Sequence, residues 1–174
     1  IHLMAIDHPD HMEVYVDETF TPPPYPKFKI YGFTKKYLPT RAVDSQNNNL
    51  IEKINKRDSD YVSNIYNDLY QGVTEPHDII LEFDNINSND SVFLFLQGWL
   101  FPTDASINVN LSQSKDLKSM FPYLQIPNED GEWKTVLDNI GFPKGKNKTM
   151  IVNLTKKFIN KDYRIRIRTN MQIY

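Results

Sequence analysis

Residues 91–112, SVFLFLQGWLFPTDASINVNLS, restrict the fold more than any other stretch of the chain. Val92, Leu94 and Leu96 alternate with Phe93, Phe95 and Gln97, so both faces of this segment are largely apolar. A strand apolar on both sides belongs in the middle of a sheet that is packed from above and below. Pro102-Thr103-Asp104 then supplies turn chemistry, because proline fixes φ and aspartate bonds its own backbone. Beyond that corner Ile107, Val109 and Leu111 alternate with Ser106, Asn108, Asn110 and Ser112, the pattern of a strand with one wet face. The stretch therefore predicts the core hairpin of a β-sandwich.

The flanking sequence continues in the same vein. Residues 2–6 and 12–16 predict a first hairpin, turned by Asp7-His8-Pro9-Asp10. The proline run at 22–26 predicts an extended crossing loop, and residues 27–33 a strand with one wet edge. Residues 39–43 continue extended. Asn49 offers a cap for a short helix carrying Leu50, Ile51 and Ile54 and ending near Arg57 or Asp58. Residues 44–73 as a whole predict an irregular, partly helical insertion that covers one end of the sandwich. From His77 the alternation is strong again: Ile79, Leu81 and Phe83 against Ile80, Glu82 and Asp84. Residues 117–120 make a helical turn at most. Asn128-Glu129-Asp130-Gly131 joins two further strands, its Asp-Gly suited to a turn needing positive φ. Met150, Val152 and Leu154 share one face. In the last segment Ile165 and Ile167 point to the core and Arg164, Arg166 and Arg168 away from it. Eight to ten short strands argue an all-β sandwich or barrel in one domain spanning 1–174.

Composition bears mainly on what the chain does. A formal net charge of -2 supplies no global field toward nucleic acid or membrane, and no apolar run is long enough to span a bilayer. The absence of cysteine removes disulfides, thiol catalysis and thiolate metal sites. The first residues read as if in mid-strand and Tyr174 stops in another, as expected of a fragment of a longer chain. The segment from Gly141 onward is strongly basic, with Asp162 its one acid. That asymmetry suits either an anion-binding face or, as the plainer reading, basic strands facing acidic ones within the fold.

Two groups of residues could carry function. Asp7, His8, Asp10 and His11 are candidate ligands for a divalent cation, needing further donors from His2, His77 or Glu13. Their plain alternative is a solvated turn. Trp99 and Asp104, with Tyr31, Arg164, Arg166 and Arg168, combine aromatic faces with polar groups as a sugar site would. The alternative places Trp99 in the core and makes Asp104 a turn stabiliser. Acid–base chemistry would need two carboxylates across a cleft, and no spacing selects a pair. The Gly-x-Ser-x-Gly elbow is missing, and GFPKGKNK lacks the Gly-Lys-Ser/Thr ending of a phosphate loop.

The segments DHPDHMEVYVDETF, FLFLQGWLFPTDASINVNLSQS, PYLQIPNEDGEWKTVLDNIGFPKGKNKTMIVNLT and RIRIRTNMQIY together resemble a known family. It is the C-terminal β-rich domain of bacterial FG-GAP-repeat proteins, the ASPIC/UnbV or cartilage-acidic-protein-like set, sometimes joined to TPR repeats. The resemblance implies a jelly-roll sandwich, similar to galactose-binding-like domains, in an exported protein where a calcium-binding β-propeller precedes it. No DxDxDG-type loop occurs here, so the propeller's metal does not carry over. The expectation is thus a non-catalytic, extracytoplasmic module that binds carbohydrate or a protein partner. Its alternatives are a structural domain docking on an adjacent propeller of the same chain and, after that, a hydrolase. No cofactor is expected, and a sandwich edge of this fold can hold calcium.

Overall fold

The computed structural model describes residues 5–25, 28–63, 65–87, 90–145 and 147–174. The fold is mostly β and every pairing is antiparallel. Strand β9 (Arg164–Met171) is its axis, because it is hydrogen-bonded on both edges. On one side runs β4 (Val73–Glu82), followed by β3 (Arg41–Asp44). On the other runs β6 (Tyr123–Pro127), followed by β7 (Trp133–Leu137). Register sets Ile79 against Ile167, Leu81 against Ile165 and Leu124 against Ile167, so one face of this five-stranded sheet is aliphatic. The β6–β7 turn takes the conformation expected from its sequence. Gly131 has φ +81°, and the Asn128 side chain accepts from the amides of Asp130 and Glu132.

A second layer is a pair, β5 (Phe93–Gly98) with β8 (Lys148–Asn153). Its Leu94, Met150 and Val152 meet Leu81, Leu124, Ile126 and Ile165 in one buried cluster. The other face of β5 is covered by a hairpin of β1 (Glu13–Val16) and β2 (Ile30–Phe33). Tyr15 and Phe33 stack on each other at 5.5 Å and reach Phe95 at 5.5 and 4.6 Å, while Tyr31 meets Phe93 at 5.3 Å. Such ring pairs stabilise by about 0.5–1.5 kcal/mol each beyond the area they bury. Both apolar faces of β5 are therefore packed, as its alternation requires.

The expected hairpin is not there. β5 stands at the edge of a two-stranded pair rather than mid-sheet, and residues 105–113 form a helix, α2 (Ala105–Gln113). Asp104 is its N-cap: the carboxylate accepts from the Ile107 amide at 2.8 Å and from the Ser106 hydroxyl at 2.7 Å. These bonds hold the Asp104 carboxyl below the usual carboxylate range, the Ile107 amide contributing most. The ambiguity is geometric. Ile107 and Leu111 are four apart, so they share a helical face as well as a strand face, and only Val109 separates the two periods. Leu111 is buried whereas Val109 is 53% exposed, which is the helical outcome.

Other boundaries move as well. β1 pairs with β2; of residues 2–6, expected as its partner, His2, Leu3 and Met4 lie outside the described residues, and Ala5 and Ile6 are in no strand. Strand β2 starts at Ile30, and Lys27 of the longer expected strand is again outside them. The proline loop bends at Pro22–Pro24, with a cis peptide between Pro23 and Pro24, instead of running extended. Helix α1 (Ile51–Ile54) is one turn, its first amide bonded by the Asn49 side chain at 3.0 Å, and it stops at Asn55, short of Arg57.

Candidate functional site

A groove of about 440 Å³ lies between the two layers, in the size range of ligand pockets. Its floor is the aliphatic face of the five-stranded sheet, with Ile79, Leu81, Ile165 and Ile167. One wall is the length of β5, from Ser91 to Gly98. The facing wall comes from residues 35–39 and from the insertion at 53–62. Lys53 staples that insertion, donating to Asp60 and to the Tyr61 carbonyl at 3.2 Å and to Ser63 at 3.4 Å. Tyr61 in turn donates its hydroxyl to Asn147. Apolar surface dominates the lining, and the rim carries Lys35, Lys36, Lys56 and Arg57 with Asp58 and Asp90. In the wall the Asn55 side-chain oxygen is buried without a hydrogen-bond partner among the described residues.

One end of the groove is closed by chain pairing. Trp99 and Tyr174 exchange both backbone hydrogen bonds, at 2.8 and 2.9 Å, and the Phe101 amide donates to the Gln172 carbonyl at 2.9 Å. Their side chains also stack, ring centroids 4.6 Å apart. Gly98 permits this approach: a Cβ there would fall on the Tyr174 carbonyl oxygen. His77, on β4, lines the groove. Burial pushes its imidazole below the ordinary histidine range, partly offset by the Glu75 carbonyl and the Asp78 charge. Its Nδ1 lies 3.1 Å from both Thr74 Oγ1 and the Glu75 carbonyl.

None of the six residues expected to bind a ligand lines this groove. Trp99 is half-buried, among Tyr61, Phe101 and Tyr174. Tyr31 packs on Phe93, and Asp104 caps α2. The arginines lie on the outer face of the large sheet and are engaged one by one. Arg164 is paired with Asp162, its Nε donating at 2.8 Å, which lowers the Asp162 carboxyl and raises the guanidinium. Arg166 donates to Gln125 and lies 4.8 Å over the Trp133 ring. Arg168 reaches Asp78 at 3.2 Å. Of the plainer reading of the basic segment, with acids of the same fold opposite it, the described residues show two pairs, Arg168 with Asp78 and Lys148 with Glu18.

Asp7, His8, Asp10 and His11 lie in an exposed turn before β1, closed by the Met12 amide on the Pro9 carbonyl at 2.9 Å. Among the described residues no three His, Asp or Glu side chains converge as a metal site would need. The same residues include no helix long and apolar enough to cross a membrane. The residues that sequence reasoning missed are the groove walls. The signal was the double apolar face of β5, which shows that both faces are covered and says nothing of the strand's edges.

Fold and site together define a class: an antiparallel, mostly β protein with an apolar groove beside a half-paired strand. No family model, curated protein or solved structure matches the chain.

Proposed function

We propose that this chain is a non-catalytic binding module and that the groove along β5 is its recognition site, for an apolar segment of a protein partner. The observation that carries the reading is the groove itself: aliphatic and aromatic walls around about 440 Å³, with a rim of lysine and arginine. The histidine in its wall is already held by Thr74 and Glu75, in keeping with binding rather than proton transfer. A sugar site, the other expectation, draws less support, because Trp99, Tyr31 and Trp133 are each engaged with neighbouring side chains. The extracytoplasmic location and the jelly-roll, galactose-binding-like architecture rest on the resemblance of segments alone.

The test is a titration with the apolar dye 1-anilinonaphthalene-8-sulfonate, run beside a glycan array. Saturable binding at one site is expected, abolished by Val62→Trp, which fills the groove from its facing wall. Thermal unfolding serves as the check that the variant is folded. Dye binding untouched by a folded Val62→Trp variant, or a glycan signal lost on Trp99→Ala, overturns the reading.

A further inference from the structure

The backbone of β5 alternates in a way that identifies what the groove would hold. The Val92 carbonyl accepts from the Leu154 amide at 2.8 Å, so the even-numbered residues of this strand turn their peptide groups toward β8. The opposite residues of β8 confirm the phase. The Thr149 carbonyl accepts from Glu18 at 2.9 Å and the Ile151 amide donates to the Thr19 hydroxyl at 3.3 Å, both on the side away from β5. Phe93, Phe95 and Gln97 therefore direct their N–H and C=O groups to the other edge, along the groove. There they have no partner among the described residues. Two residues further on, the same edge is already used, by the antiparallel pairing of Trp99 and Phe101 with Tyr174 and Gln172.

Resting on the groove as the recognition site, we propose that β5 is an acceptor strand. It takes an extended segment of a partner protein that adds antiparallel to its open edge, in line with the ladder formed at Trp99 and Phe101. An open edge beside an apolar trough recognises main chain by hydrogen bonds and side chains by alternation. Residues of the incoming strand opposite Leu94 and Leu96 face the aliphatic floor, and those opposite Phe93 and Phe95 face Tyr15 and Phe33. The segment is apolar on both faces for about four residues. Its flanks are acidic, because the rim places Lys35, Lys36, Lys56 and Arg57 against Asp58 and Asp90.

The experiment uses the whole chain, isotope-labelled, with peptides selected from a phage-displayed random library and then synthesised. Without peptide the amides of Phe93, Phe95 and Gln97 exchange fast while those of Leu94 and Leu96 are protected. At saturation the three open amides slow by about a hundredfold. N-methylation of the peptide at residues opposite Phe93 or Phe95 weakens binding by about tenfold, whereas methylation at the intervening residue changes it by less than about twofold. A peptide that binds without protecting the three amides, or a selection that yields no binder, overturns strand addition. So does protection present without peptide: if it grows with protein concentration the occupant is a second copy, and if it does not the protein's own chain covers the edge. The dye titration separates the two levels. Dye bound with the amides unprotected leaves the groove as the site and removes the strand, while no dye and no peptide removes both.

Discussion

Strands β9 and β5 are both apolar where they meet the core, yet they stand in opposite situations. β9 lies between β4 and β6, so its peptide groups are bonded on both edges, and its outward arginines find Asp162, Gln125 and Asp78. β5 is greasy on both faces and both are covered, one by the large sheet and one by the aromatic hairpin of β1 and β2. Among the described residues its peptide groups from Phe93 to Gln97 are bonded along one edge only. The contrast separates two properties that are easily merged. How many faces of a strand are buried follows from its side chains, while how many neighbours it pairs with follows from where the rest of the chain goes.

Proline gives the sharpest way to break that contrast. Arg166→Pro removes a backbone donor and adds ring clashes within a strand paired on both sides. It is expected to cost about 3 kcal/mol or more and to leave little folded protein. Gln97→Pro removes an N–H that faces the open edge, and its melting temperature is expected within a few degrees of the parent. Thermal unfolding of the two variants, followed by circular dichroism, decides the matter. Equal losses would mean that the β5 edge is bonded after all.

Truncation comes next in size. Ile165 is 1% exposed under the β9 register, and Ile165→Ala is expected to lower stability by about 2–5 kcal/mol. Leu96 borders the groove and is only partly buried, so Leu96→Ala is expected to cost about half as much or less. Urea titrations of both give the ratio. A Leu96 loss as large as that at Ile165 would mean that the β5 wall is buried as completely as the groove floor.

The smallest effect is a pH dependence. Burial lowers the folded-state pKa of His77, so on acidification the unfolded chain takes up the proton first. The stability from keeping this ring neutral is complete above the ordinary histidine range and is lost as pH falls through it toward the lowered value. Chemical denaturation at pH 8 and pH 5 is expected to show that loss, reduced in His77→Gln. An unchanged slope in the variant would mean that groups other than His77 account for it.

Much of the fold was legible because the relevant physics is local. The turn at Gly131, the aliphatic face of β9 and the buried line of Met150, Val152 and Leu154 each follow from residues next to one another in the chain. Asp104 was legible as a residue that bonds its own backbone, but not as the start of a helix. The Ile107–Leu111 spacing fits both periods, and the serines and asparagines between favour neither. The candidate site was hardly legible at all. Its walls are drawn from β5, from residues 35–39 and from the insertion, three stretches joined only by the packing of the two layers.

Side-chain order by itself determined that β5 must be covered above and below and that the arginines of β9 must face away from the aliphatic core, because a strand presents alternate residues to opposite sides. Only the tertiary structure decided that residues 105–113 form a helix, that Arg168 meets an acid from a distant strand while Arg166 meets Gln125, and that the second edge of β5 has no partner among the described residues. Peptide groups are the same at every residue, so no sequence marks which of them will find a partner; that depends on which distant segments arrive beside them.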